Sequence, residues 1–229
     1  LNQTAFGSDP GAIHYPDLQT LPPFALTVNR SHGRAFLRFS NTVANRGQGP
    51  LEVFPQHNPD GTTDAFQRLF SHDAAGQWYA VGTNYVGKFA FHAGHDHWHF
   101  EDFAIYQLRN VAPDGSIGST VLVTSGKVTF CLVDYDDVDS TLEHASPQTY
   151  TTCGVDLPQG ISVGWGDVYG WYLAGQSLEI TGLATGNYWL VSTADPSNRL
   201  AEGGDALENN NVGAVKIRIE RNKSVKIIQ

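Results

Sequence analysis

His95, His97 and His99 stand at alternate positions in the run His92-Ala-Gly-His-Asp-His-Trp-His99. In an extended backbone every second side chain leaves from the same face, so these imidazoles share one side while Asp96 and Trp98 face the other. Neutral imidazole suits copper, zinc, iron or nickel, with copper(II) at the top of the affinity series. The spacing points to a three-nitrogen metal site without fixing the metal. A flat strand would leave the outer two rings about 13 Å apart, too far for bonds of ~2 Å to one ion. The segment is therefore expected to bend, and Gly94 eases the bend. His92 is either a supporting donor or an ordinary strand residue.

The elements that must position these rings read as short strands between turns. Runs such as Ala35–Phe39, Trp78–Val81, Phe103–Leu108, Val121–Val123, Val128–Leu132 and Tyr188–Val191 are rich in β-branched and aromatic residues, and no segment shows sustained helical periodicity. Val215, Ile217 and Ile219 alternate with Lys216, Arg218 and Glu220, the pattern of a strand with one buried face. Turns are marked at Asn58-Pro-Asp-Gly61, Pro113-Asp-Gly115, Thr185-Gly-Asn187 and Asp195-Pro196. This predicts an all-β chain, most simply a β-sandwich, in one domain over residues 1–229. Residues 1–33, with four of the prolines, are expected to form an irregular arm wrapped over it. The acidic run Asp134–Asp139 lacks the glycine and spacing of an EF-hand loop and reads as a solvated loop.

A chain of 229 residues can bury a full core, and 26 aromatic residues against 16% charged residues indicate folding throughout. The formal charge of -9 argues against nucleic acid as a partner and favours attraction of a cationic substrate. No apolar run is long enough to span a membrane. Cys131 and Cys153 allow a single disulfide. A chain beginning at Leu1, three sequons and a cysteine pair near a redox metal together lead to the expectation of a secreted, mature protein.

From the histidines onward the chain resembles the catalytic domain of the lysyl oxidases, copper amine oxidases that act on lysine side chains. Four ordered blocks carry the resemblance: His92–His99 with Glu101-Asp-Phe103 and Tyr106-Gln-Leu108; Gly126-Lys-Val-Thr-Phe-Cys-Leu-Val-Asp134; Gly160-Ile-Ser-Val-Gly-Trp-Gly-Asp-Val-Tyr-Gly170; and Leu178-Glu-Ile-Thr-Gly-Leu-Ala-Thr-Gly-Asn-Tyr188. The resemblance implies copper on His95, His97 and His99, and a lysine tyrosylquinone cofactor made by joining Lys127 to an oxidised Tyr169. The joining step needs an uncharged amine, so Lys127 is expected to be partly desolvated or near the metal. Asp96, Glu101, Asp102 and Asp167 stay open as the general base. The substrates implied are a small primary amine or a lysine side chain, together with molecular oxygen.

The resemblance also implies a calcium site from Asp17, the carbonyl of Leu18, Glu202, Asp205, Asn210 and Asn211, all hard oxygen donors. The segment Glu202–Asn211 is longer than the family's usual spacing, so Glu208 or Asn209 could substitute. The chain has fewer cysteines than animal members, with Gly94 where they carry one before the first copper histidine. Cys131 and Cys153 must then pair with each other or stay free. This simpler pattern looks microbial, and collagen or elastin as substrate does not carry over. A non-catalytic metal-binding sandwich used for adhesion is the main alternative, and another His-rich metalloenzyme such as a zinc hydrolase is a third. Neither would need Lys127 and Tyr169 together.

Overall fold

The computed structural model describes residues 11–94, 96–204 and 210–228. Those residues form sixteen strands and no helix. In chain order these are β1 (Leu18–Thr20), β2 (Phe24–Ser31), β3 (Arg34–Asn45), β4 (Leu51–His57), β5 (Thr63–His72), β6 (Trp78–His92), β7 (His97–Val111) and β8 (Ile117–Thr124). There follow β9 (Val128–Phe130), β10 (Asp136–Asp137), β11 (Gln159–Ile161), β12 (Trp165–Tyr169), β13 (Ser177–Glu179), β14 (Gly186–Ala194), β15 (Val212–Ile219) and β16 (Val225–Ile227).

They make two antiparallel sheets. The smaller runs β1-β3-β12-β10, with β2 and β13 also on β3; the larger runs β11-β4-β5-β6-β7-β14-β15-β16, with β8 and β9 also on β7. Phe39 and Val43 of β3, Phe103 and Leu108 of β7, and Leu190 of β14 bury completely or nearly so in one continuous core. This is the all-β sandwich expected from the alternating patterns. On β15, Ile217 and Ile219 are fully buried. The hairpins at Gly61 and Gly115 turn with positive φ of 84° and 88°, which glycine adopts without strain.

The arm departs from the expectation. Residues 24–31 are not irregular but form β2 along the edge of β3, and β1 pairs with the far end of the same strand. Between His14 and Asp17 the arm lies on Gly47 and Gly49, where an added Cβ would overlap the arm's backbone. Only glycine permits that approach. Backbone bonds from Arg46 to the Asp17 carbonyl (2.8 Å) and from Gln48 to that of Tyr15 (2.9 Å) seal it.

Strand β3 also runs past its apolar stretch. Ser40, Asn41, Thr42 and Asn45 are polar yet buried, because β1 and β12 flank this half of the strand. Asn45 satisfies itself fully: its amide nitrogen donates to the carbonyls of Gly49 (2.9 Å) and Ile161 (2.8 Å), and its oxygen accepts from Asp17 (3.1 Å) and Gly47 (3.0 Å). One side chain thereby fixes the arm, the turn before β4 and β11 together.

The acidic run is solvated only in part: Asp136 and Asp137 are exposed on the two-residue strand β10. Asp134 is buried and accepts hydrogen bonds from Ser162 N and Oγ (both 2.7 Å), Thr149 N (2.8 Å) and Tyr150 N (3.0 Å), while Asp136 and Asp137 pair with β12. A buried carboxylate is tolerated where every lone pair is used in this way. Its effect here is to hold β12 against the loop that carries Cys153.

Cys131 and Cys153 are joined in a disulfide with Cα atoms 6.1 Å apart, and the bridge spans 22 residues. A loop of that length constrains the unfolded chain by about 3 kcal/mol. We predict that the Cys131→Ser, Cys153→Ser double variant unfolds at a lower denaturant midpoint and with a larger m-value, because the unlinked chain exposes more surface when unfolded. Wild type treated with a reductant should match it.

Candidate functional site

Strands β6 and β7 form the hairpin that carries the histidines, with His92 paired opposite His97 and Ala90 opposite His99. The turn between them closes with a bond from Asp96 N to the His92 carbonyl (3.0 Å), and Asp96 adopts φ 57°. The chain reverses direction at this turn, so His92 and His97 face each other across the hairpin. His97 and His99 open β7, their rings stack with centroids 4.9 Å apart, and their Nε2 atoms are 3.0 Å apart. His99 is buried, with Nδ1 3.3 Å from Thr129 Oγ1 of β9. His92 also stacks on His99, with centroids 4.9 Å apart and planes at 14°. His95 lies outside the described residues.

The two rings open into a cavity of about 390 Å³ between the sheets, with His92, Lys127, Asp167 and Tyr169 also in its wall. The Cys131–Cys153 bridge lines it too, and a ring nitrogen of His97 lies within 4.8 Å of both sulfurs. A disulfide has no thiolate, so the sulfurs are walls and not ligands.

Tyr169 is the last residue of β12, paired with Asn41 of the smaller sheet. Its ring stacks on Phe130 of β9, from the larger sheet, with centroids 3.6 Å apart and planes at 12°. The hydroxyl accepts the N–H of Cys131 (2.6 Å) and donates towards the Cys131 carbonyl (3.4 Å). Burial, reinforced by the nearby Asp167, pushes the phenol well above its ordinary pKa, so it is protonated at neutral pH.

Lys127 sits just before β9 at the cavity's edge, with its side chain 37% exposed. Its Nζ donates to Asp102 Oδ2 (3.2 Å) and Ser197 Oγ (2.8 Å). Arg199 reaches the same Asp102 oxygen at 3.3 Å. The segment joining β8 to β9 leaves the amine partly exposed, in the wall of the cavity that the histidines line. Ser197 and Arg199 had no sequence signal beyond the turn at Asp195-Pro196. The Asp195 carboxylate caps that turn by accepting Arg199 N and Leu200 N, both at 2.7 Å.

The four acidic candidates now differ. Asp96 is exposed, Glu101 is half-buried, and Asp102 is shared by two cations. Asp167 of β12 is buried in the cavity wall, and its Oδ2 has no hydrogen-bond partner among the described residues. Burial, with a contribution from Asp134, raises its pKa well above the ordinary carboxylate value.

The arm and the end of the Glu202 segment also meet. Glu202 is fully buried; its two oxygens accept from Leu18 N and Asn211 Nδ2, each at 2.6 Å. Asn210 Nδ2 donates to Asp17 Oδ1 at 2.8 Å. The side-chain oxygens of Asn210 and Asn211 are buried without a partner among the described residues. Burial and the neighbouring carboxylates Asp195 and Asp17 raise the pKa of Glu202 to about 8. Asp205, Glu208 and Asn209 lie outside the described residues.

None of the curated proteins compared with the chain matches it. The family model described as lysyl oxidase matches residues 75–228, more than half of the chain. That span runs from the start of the β6–β7 hairpin, through the segments bearing Lys127 and Tyr169, to the last strand. The chain belongs to the lysyl oxidase family.

Proposed function

We propose that this protein is an exported, copper- and quinone-dependent oxidase of primary amines such as free or peptidyl lysine. It would convert the amine, dioxygen and water to an aldehyde, ammonia and hydrogen peroxide. The observation that carries this reading is a single cavity walled by His97, His99, Lys127 and Tyr169, in a chain of the lysyl oxidase family.

The donors suit the metal. Two nitrogens bound at ~2 Å to one ion, at close to a right angle, lie about 3 Å apart, and the Nε2 atoms of His97 and His99 have that separation. We assign His95, His97 and His99 as the copper ligands. Copper held there would support oxidation of the Tyr169 ring by dioxygen and its linkage to Lys127, and the resulting quinone would be the electron sink for amine oxidation.

The chain's own residues set the conditions for this. Phe130 and the Cys131 backbone hold the Tyr169 ring in one orientation. Lys127 is tethered at the edge by Asp102 and Ser197, and Arg199 leaves Asp102 with a partner when the lysine moves inward. Asp167 is our choice for the group that takes the substrate's proton: burial makes its carboxylate more basic, and it lies in the same wall. The net charge of -9 favours approach of an ammonium substrate. The disulfide suits an oxidising compartment outside the cytosol.

Calcium fits the second cluster. Asp17, Glu202, Asn210 and Asn211 gather hard oxygens, two of them buried amide oxygens lacking donors. An ion on them would pin the arm to the C-terminal strands, with Leu18 and Asp205 completing the proposed set.

After copper loading, Tyr169→Phe should lose amine-dependent peroxide production, and full activity in that variant would refute the mechanism. Asp167→Asn should cut kcat/KM by about a hundredfold or more. In wild type, kcat/KM should rise with pH through a raised carboxyl pKa, and this limb should be missing from the variant.

The raised pKa of Glu202 makes the folded state bind a proton that the unfolded state releases near 4.5. Its contribution to stability is thus complete below that pH and is lost as pH rises towards about 8. Calcium-free protein should lose stability across this window relative to Glu202→Gln, and excess calcium should abolish the difference by stabilising the carboxylate. Denaturant titrations at several pH values measure both effects.

A further inference from the structure

A second group of three imidazoles lies outside the cavity described above. His14 of the arm, His72 at the end of β5 and His144 in the loop after β10 each present a ring nitrogen within 4.8 Å of the other two. His14 is 2% exposed, His72 8%, and the His144 side chain 20%. Ring centroids are 4.4 Å apart for His14 and His72, 5.3 Å for His14 and His144, and 5.1 Å for His72 and His144. Trp78 of β6 stands edge-on to His14 and His72.

Packing alone leaves a specific defect. Among the described residues, Nε2 of His14, of His72 and of His144 is buried in each case with no hydrogen-bond partner, and Glu143 Oε1 lies 4.0 Å from His144 Nε2. Nδ1 of His72 lies 3.0 Å from the Asp73 carbonyl, which can only accept, so the ring proton sits on Nδ1 and Nε2 offers a lone pair. A water molecule has two protons to give, whereas a cation accepts three converging lone pairs. Burial and the two neighbouring imidazoles also lower the pKa of His14, favouring the neutral ring that a metal needs.

We infer that His14, His72 and His144 form a second transition-metal site that takes zinc(II), with the fourth position open to water. Three neutral imidazoles are a sufficient protein donor set for tetrahedral zinc. A cavity of about 490 Å³ bordered by His72, Trp78 and His144 gives the ion a route in and a place for the water. The three ligands come from segments with no other covalent tie. His14 meets β5 through a single bridge, its N–H donating to the Phe70 carbonyl at 2.8 Å, and Gly11 N bonds the His72 carbonyl at 3.2 Å. An ion here locks the arm to β5 and to the loop leading towards Cys153. The site shares no residue with the cavity of His97, His99, Lys127 and Tyr169, so it does not rest on the proposed oxidase activity.

The test is zinc stoichiometry of the whole chain after equilibrium dialysis from metal-free protein. His144→Ala and His72→Asn should each bind one equivalent fewer than their parent, both in the wild-type background and in a His97→Ala, His99→Ala background. Cobalt(II) bound in the latter background should give the strong visible absorption of a tetrahedral ion, and His144→Ala should abolish it. If either variant fails to fold, anomalous scattering from zinc-loaded wild-type crystals decides: a peak among the three rings supports the site. An unchanged stoichiometry in the folded variants, or no peak there, overturns it.

Discussion

The phenol of Tyr169 is fixed from both sheets at once, and the geometry of the cavity follows from that. β12 carries the residue on the smaller sheet through its pairing with β3, while Phe130 of the larger sheet lies flat against its ring. The third restraint is the Cys131 N–H on the hydroxyl. Because Cys131 is also half of the disulfide, the covalent bridge and the phenol's hydrogen bond share one backbone unit. A ring held in this way has one orientation in the wall of the cavity that the imidazoles share.

The contrast with Lys127 follows from where each residue sits. Tyr169 belongs to a strand interior to its sheet; Lys127 belongs to a connection, with its amine held by groups at the surface. One partner of the proposed cofactor is thus rigid and the other has room to move. That asymmetry suits a linkage made after folding, since the strand core need not rearrange for the amine to reach the ring. Asp167 stands two residues before Tyr169 on the same strand, so its backbone is fixed by the same pairing with β3 and its carboxyl is buried in the same cavity wall.

Much of this was legible from residue types. Period-two patterns gave β15, and the alternate histidines gave a shared ring face that the hairpin realises for His97 and His99. Resemblance, not spacing, led to Lys127 and Tyr169, since nothing local ties a lysine before one strand to a tyrosine ending another. Buried polar residues were the hidden part. Asn45 and Asp134 look like surface residues in a sequence, yet they bury because each finds a full set of hydrogen-bond partners in distant segments. The same reason conceals His14, His72 and His144, which come from an arm, a strand end and a loop and have no common period.

The central claim is that this fold delivers the Lys127 amine to the Tyr169 ring beside the copper imidazoles. Peptide mass analysis of wild-type protein, prepared metal-free and then exposed to copper and air, tests it most directly. The account predicts that the adjoining tryptic segments that end at Lys127 and contain Tyr169 are recovered uncleaved at Lys127 and with the mass change of ring oxidation and amine linkage, a species absent when copper is withheld. Recovery of both segments as separate, unmodified peptides from protein shown to be fully copper-loaded would contradict it.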